Sequence, residues 1–176
     1  MIILKAITAT LLVGFIFRSL YNFIRSRSYP STPYRFRGHL KFLDEGKTRG
    51  FKFINYKYGV GATPDAIYEV TPSVDRIVEI KSRRSGVQPS DIVQAKAGVL
   101  AMSGTKGFNR VKAITIKTKF DEVTVPVGTP AKIYRELKPL IRIAQAIKAG
   151  KSITAKNKSK SKCSTCRHKE VCRPFN

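Results

Sequence analysis

The sequence predicts an α/β fold, a mixed β-sheet flanked by helices, with a hydrophobic helix ahead of it and a cysteine-rich tail behind. Two patterns predict it. Stretches with strand character and stretches with helical periodicity follow one another in the order helix, three strands, helix, two strands, helix. Composition also shifts at both ends, which divides the chain into residues 1–28, residues 35–150 and residues 151–176. A chain of 176 residues, 42% hydrophobic and 26% charged, can bury one core and is not disordered in composition.

Residues 1–17 are apolar except for Lys5. That is the short limit of the roughly 17–25 residues that cross a bilayer. Extending the run through Leu20, Tyr21, Phe23 and Ile24 places Arg18 inside it, where the side chain has to snorkel. No small-x-small cleavage site follows, so a removed signal peptide is not expected. Arg18, Arg25, Arg27, Arg35 and Arg37 on the C-terminal side keep the body of the protein in the cytoplasm if the helix is a membrane anchor. The alternative is a helix packed on the domain's own core.

Tyr29 to Pro33 carries two prolines and ends that helix. Residues 37–46, with His39, Leu40, Phe42 and Leu43, fit a short helix. Phe51 to Tyr58 reads as a strand, as do Asp65 to Val70 and Arg76 to Ser82, with a turn at residues 71–75. Pro89-Ser90-Asp91 opens a helix through about Met102, since Pro suits a first turn and Ser or Asp can cap. Val111 to Thr118 and Val123 to Val127 are two more strands. Ile133, Leu137, Leu140, Ile141, Ala144 and Ile147 lie on one face of a last helix, which ends at Gly150 and carries Pro139 inside it. Lys151, Lys156, Lys158, Lys160 and Lys162 sit among small polar residues in a basic linker.

Charge narrows the partners. The 34 Lys and Arg against 11 Asp and Glu leave +23, an excess that repels itself unless a polyanion offsets it. Nucleic acid and an anionic membrane surface both qualify.

Among so few acids, Asp65 and Glu79 are spaced to meet. A hairpin turn centred on Pro72 pairs Asp65 with Glu79; one centred on Ser73 pairs it with Lys81. Strand alternation puts Glu79 and Lys81 on one face in either case. Ile80 is expected to point into the core and offer its backbone carbonyl. Two adjacent carboxylates repel unless a cation lies between them, and a few oxygen ligands suit Mg²⁺ or Mn²⁺. Such an ion polarises a phosphoryl oxygen and lowers the pKa of a bound water from about 15.7 toward neutrality. Lys81 orients the water and offsets the charge that builds at phosphorus. The bland reading of the same residues is a cross-strand salt bridge.

The tail reads Cys163-x2-Cys166-x5-Cys172. An odd, clustered set argues for metal in a reducing compartment, with zinc and His168 as the first reading. Gly150-Lys151-Ser152 is not a phosphate loop, because position 145 is Gln and the triplet ends a helix. Tyr56 and Tyr58 suit core or rim packing better than base stacking.

Pro64-Asp65 with Glu79-Ile80-Lys81, after Gly61, resembles the core of the PD-(D/E)xK nucleases. Gln94-Ala95-Lys96-Ala97-Gly98 resembles the RecB-type motif Gln-x-x-x-Tyr, with Gly98 where the tyrosine stands. The tail has the cysteine spacing that closes the CRISPR-associated and RecB-type exonucleases, but the family's fourth cysteine, near the N-terminus, is missing. The resemblance spans about residues 35–176 and implies a restriction-endonuclease-like core in a metal-dependent DNA nuclease, acting on single strands or ends. It implies that Asp65 and Glu79 bind Mg²⁺ or Mn²⁺, that Lys81 is the catalytic lysine, that Gln94 steadies the site or contacts DNA, and that His39 is a further ligand. For Cys163, Cys166 and Cys172 it implies a [4Fe–4S] cluster, with zinc as the alternative. The competing function is a non-catalytic, membrane-tethered nucleic-acid-binding protein with a zinc tail.

Overall fold

Period-2 alternation builds one five-stranded sheet in the computed structural model, which describes residues 2–72, 74–151 and Ser164. In chain order the elements are α1 (Ile2–Arg27), β1 (His39–Leu43), β2 (Phe53–Asn55), β3 (Val60–Ala62), β4 (Ala66–Thr71), β5 (Val74–Ile80), α2 (Pro89–Met102), β6 (Val111–Lys117), β7 (Glu122–Pro126) and α3 (Pro130–Lys148). The sheet order is β1-β4-β5-β6-β7, and β2 and β3 form a separate hairpin. Every neighbouring pair in the large sheet is antiparallel except β5 and β6. Parallel pairing needs a long crossover, and α2 supplies it. The fold is therefore α/β with a mixed sheet and helices, as the pattern predicts.

The chain divides into two compact units, residues up to Leu137 and residues from Lys138 onward. In the first unit, Ile67, Ile77, Ile114 and Ile116 of the sheet are fully buried, together with Leu100 and Met102 of α2. Each such side chain contributes about 1.5–3 kcal/mol by leaving water. Ile77 lies under α2, where a Cβ on Gly98 would stand 3.9 Å from its Cδ1. Phe53 makes edge-to-face pairs with Phe42, Phe51 and Phe108, and Phe42 and Phe51 are tilted against each other; together they fasten the β2–β3 hairpin to this core. Ile133 and Leu137 bury the start of α3. In the second unit α3 continues through Pro139, and its Leu140, Ile143 and Ile147 are exposed.

α2 begins where Pro89 predicts, and of the two capping candidates it is Asp91, not Ser90, that serves. Asp91 reaches back so that its Oδ2 accepts the backbone N–H of Gln88 at 2.7 Å, and Arg83 pairs with the same oxygen. Carboxylate and helix N-terminus suit each other.

Two expectations fail. Residues 39–43 form a strand, not part of a helix, because antiparallel pairing of β1 with β4 sets Phe42 against Ile67 in the core. The stretch from Phe51 to Tyr58 holds only a short strand, β2, since the chain turns at Tyr56–Gly59 into β3. Gly59, at φ +63°, permits that turn.

One end of the sheet carries an ionic network. Asp75 is wholly buried and accepts from Lys41 at 3.0 and 3.1 Å and from Arg110 at 3.5 Å. Arg110 also binds Glu69 at 3.0 Å, and the Tyr29 hydroxyl donates to Glu69 at 2.7 Å. Burial alone would raise the Glu69 carboxyl, but these two donors hold it below its usual range. Tyr29, just past α1, thus ties the base of that helix to the sheet. From Ile7 to Arg27 α1 is long and apolar enough to cross a membrane and has none of its length buried, so it does not pack on the domain's own core.

Candidate active site

The hairpin of β4 and β5 decides where the acidic pair stands. Its register sets Ala66 opposite Val78, Ile67 opposite Ile77 and Tyr68 opposite Arg76, the alignment of a turn centred on Pro72. Asp65 directly precedes β4 and Glu79 directly follows Val78, so the register carries them to the same end of the strand pair. Pro64, buried beside them, has no N–H to continue the ladder. The backbone pairing ends at Ala66 and Val78, and the Asp65 side chain supplies the next acceptor: its Oδ2 takes the backbone N–H of Ile80 at 2.6 Å.

Glu79, 4% exposed, is the centre of a closed ring of hydrogen bonds. Its Oε1 accepts from Lys81 Nζ at 2.7 Å and from Gln94 Nε2 at 2.9 Å, and Lys81 donates to Gln94 Oε1 at 2.9 Å. Gln94 comes from α2, so the crossover helix and the strand it follows meet at this ring. Burial pushes the Glu79 carboxyl above its ordinary range; the Lys81 hydrogen bond pulls it back, and the charges of Asp65 and Asp91 push it further up.

Two clefts flank the pair. One, of about 230 Å³, is lined by Gly61 to Pro64, Glu79, Gln94, Ala97 and Gly98. The other, of about 190 Å³, is lined by Leu43, Asp44, Glu45, Asp65 and Ile80. Glu79 opens to the first and Asp65 to the second. Gly98 leaves the first cleft free of the ring that the resembling motif would place there.

Asp65, Glu79, Lys81 and Gln94 are thus brought together, and two expectations need correcting: the place of His39 and the direction of the Ile80 side chain. His39 opens β1 opposite Glu69, at the network end of the sheet, with its ring edge-on to Tyr29 at 4.4 Å. From that position to Leu43, which pairs with Ala66 beside Asp65, is about 13 Å along the strand. Strand geometry therefore keeps His39 away from the site. Ile80 lies at the site, but its side chain is 46% exposed and does not enter the core. The sheet's buried face at this position belongs to Glu79 instead. Cys163, Cys166, Cys172 and His168 lie outside the described residues.

Asp44 and Glu45 are neighbours of the site that the pattern did not single out. The Asp44 N–H donates to the Asp65 carbonyl at 2.8 Å. An adjacent acidic pair in so basic a chain was the available signal. No group of three or more His, Cys, Asp or Glu among the described residues is placed to hold a metal by side chains alone. The donor set does fit a cation that keeps several waters: Asp65 and Glu79 each use one carboxylate oxygen in the bonds above, which leaves the second oxygen of each for an ion.

No protein-family model matches the chain, and no curated protein matches it.

Proposed function

We propose that the protein is a metal-dependent deoxyribonuclease with a PD-(D/E)xK-type core, tethered by α1 to the cytoplasmic face of a membrane. One observation carries the reading: Asp65, Glu79 and Lys81 converge at one end of the β4–β5 hairpin, with Gln94 from the crossover helix bound to two of them. The mixed sheet flanked by helices supports it, since that is the core the resemblance implies.

Asp65 and Glu79 would hold Mg²⁺ or Mn²⁺, with the Ile80 backbone between them. When bound, the ion polarises a phosphoryl oxygen and acidifies water. Lys81 Nζ stands 2.7 Å from Glu79, where it would offset negative charge gathering on a phosphodiester. Gln94 holds both partners in line and leaves neither free to swing away. The net charge of +23 draws the polyanion in.

A second reading is a nucleic-acid-binding protein without catalysis. The completeness of the Glu79–Lys81–Gln94 ring favours it, because a satisfied ring also serves as a structural clasp. End-labelled single- and double-stranded DNA, incubated with Mn²⁺ or with chelator, separates the two. The nuclease reading expects metal-dependent cleavage that Lys81→Ala removes. Salt-sensitive binding with no cleavage, indifferent to metal and to Glu79→Ala, would support the second.

A further inference from the structure

Beside this site stands an aromatic ring that packing does not explain. Phe120 is 71% exposed at the tip of the β6–β7 turn. Two hydrogen bonds close that turn, Thr118 N–H to the Asp121 carbonyl at 2.8 Å and Asp121 N–H to Thr118 Oγ1 at 2.9 Å, around a Thr118 that is buried. Outside the turn, Asp121 Oδ2 accepts the Val87 N–H at 3.3 Å and the Lys119 N–H donates to the Arg83 carbonyl at 3.2 Å. The tip is therefore fixed, and it holds a phenyl ring out in water.

The turn belongs to the active end of the sheet. Lys81 N–H donates to the Lys117 carbonyl at 2.7 Å, so the strand that leads to Phe120 is bonded to the residue that carries the ammonium. Lys119 precedes the ring and Arg84 follows Arg83, to whose carbonyl Lys119 is bonded; both are exposed, and neither has an ion-pair partner among the described residues. A rigid ring flanked by uncommitted cations suits a base on the ring and phosphates on the cations.

We infer that Phe120, with Lys119 and Arg84, is a stacking platform for an unpaired DNA strand, which it delivers to the Asp65–Glu79–Lys81 site. A paired base has both faces covered in the duplex and gives the ring nothing to stack on, so the platform selects single strands and frayed ends. A lipid surface is the other chemistry that takes a ring flanked by cations. It fits poorly, because α1 is tied through Tyr29 to the opposite end of the sheet. The inference rests on the nucleic-acid reading of the site, but not on cleavage.

The test is fluorescence anisotropy of the full chain in detergent, with a labelled oligothymidine and a labelled duplex, in chelator so that no cutting occurs. Phe120→Ala is expected to weaken oligothymidine binding about tenfold and leave duplex binding within twofold, while Phe120→Tyr restores the single-strand affinity. Lys119→Gln should flatten the salt dependence of binding. Equal loss on both DNAs, or no loss on either, overturns the platform, as does an effect of Phe120→Ala only on anionic vesicles or only on single-stranded RNA. Because chelator is present, absence of nuclease activity in a separate Mn²⁺ assay sinks the catalytic reading without touching this result.

Discussion

The Asp65 carboxylate accepts the Ile80 backbone N–H at 2.6 Å, one residue beyond Glu79 on the neighbouring strand. A single side chain thus extends the β4–β5 ladder beyond the last backbone pair, Ala66 with Val78, and points its carboxylate at the end of the strand that holds Glu79 and Lys81.

Asp65→Asn and Asp65→Ala should separate these two duties. The asparagine oxygen still accepts the Ile80 N–H, so Asp65→Asn keeps wild-type stability. Asp65→Ala leaves that N–H without its partner and loses about 1–2 kcal/mol in urea denaturation. Equal stability of the two variants would remove the ladder-closing role.

Glu79 ties the site to pH. Its folded-state pKa lies above the unfolded value because burial outweighs the Lys81 bond. A carboxyl raised in this way favours folding at low pH, and the contribution is lost as pH rises through the folded value. Glu79→Gln should therefore melt higher than wild type at neutral pH, with the difference vanishing below the carboxylate range. Mn²⁺ should raise the wild-type melting temperature and leave Glu79→Gln unmoved. A wild type that melts higher than Glu79→Gln at neutral pH without metal would contradict the burial argument.

His39 and Asp75 bear on the other end of the sheet. His39→Ala loses one ring contact with Tyr29 and should leave the cleavage rate of folded protein within twofold. Asp75→Ala strands Lys41 and Arg110 beside a buried gap and should destabilise by about 3–5 kcal/mol. A large loss of cleavage in well-folded His39→Ala would restore histidine to the site.

The N-terminal helix makes a further prediction. Full-length protein should stay in the membrane fraction through high-salt and alkaline washes, as expected of the exposed apolar side chains of α1 from Ile7 onward. Without residues 2–27 it should become soluble and keep its fold, since Tyr29 is the residue that joins the network. Release of the full-length protein by salt alone would leave only surface adsorption.

The hairpin register was legible in the sequence because Pro72 and the β-branched runs on either side admit few turns, and one of them pairs Asp65 with Glu79. The start of α2 was legible for a similar reason: Pro89 has few places to go. The segment around His39 was not. Leu40, Phe42 and Leu43 suit a helix or a strand equally over so short a run, and only pairing with Ile67 and Ala66 decides it. Once that segment became a strand, His39 moved to the far end of the sheet. Asp44 and Glu45 entered the site's second cleft by the same change, since β1 ends at Leu43 beside Ala66. Ile80 was misplaced because the apolar character of a residue at a strand's end says little about which face remains covered there.

The most direct measurement is single-turnover cleavage of an end-labelled single-stranded oligonucleotide with Mn²⁺ by wild type, Asp65→Asn and Lys81→Met, with the melting temperature of each recorded alongside. Wild type should cut. Both variants should remain folded and lose on the order of 100-fold or more in rate. A wild type that does not cut, or folded variants that cut as fast as it does, would contradict the assignment of Asp65, Glu79 and Lys81 as a phosphodiester-cleaving site.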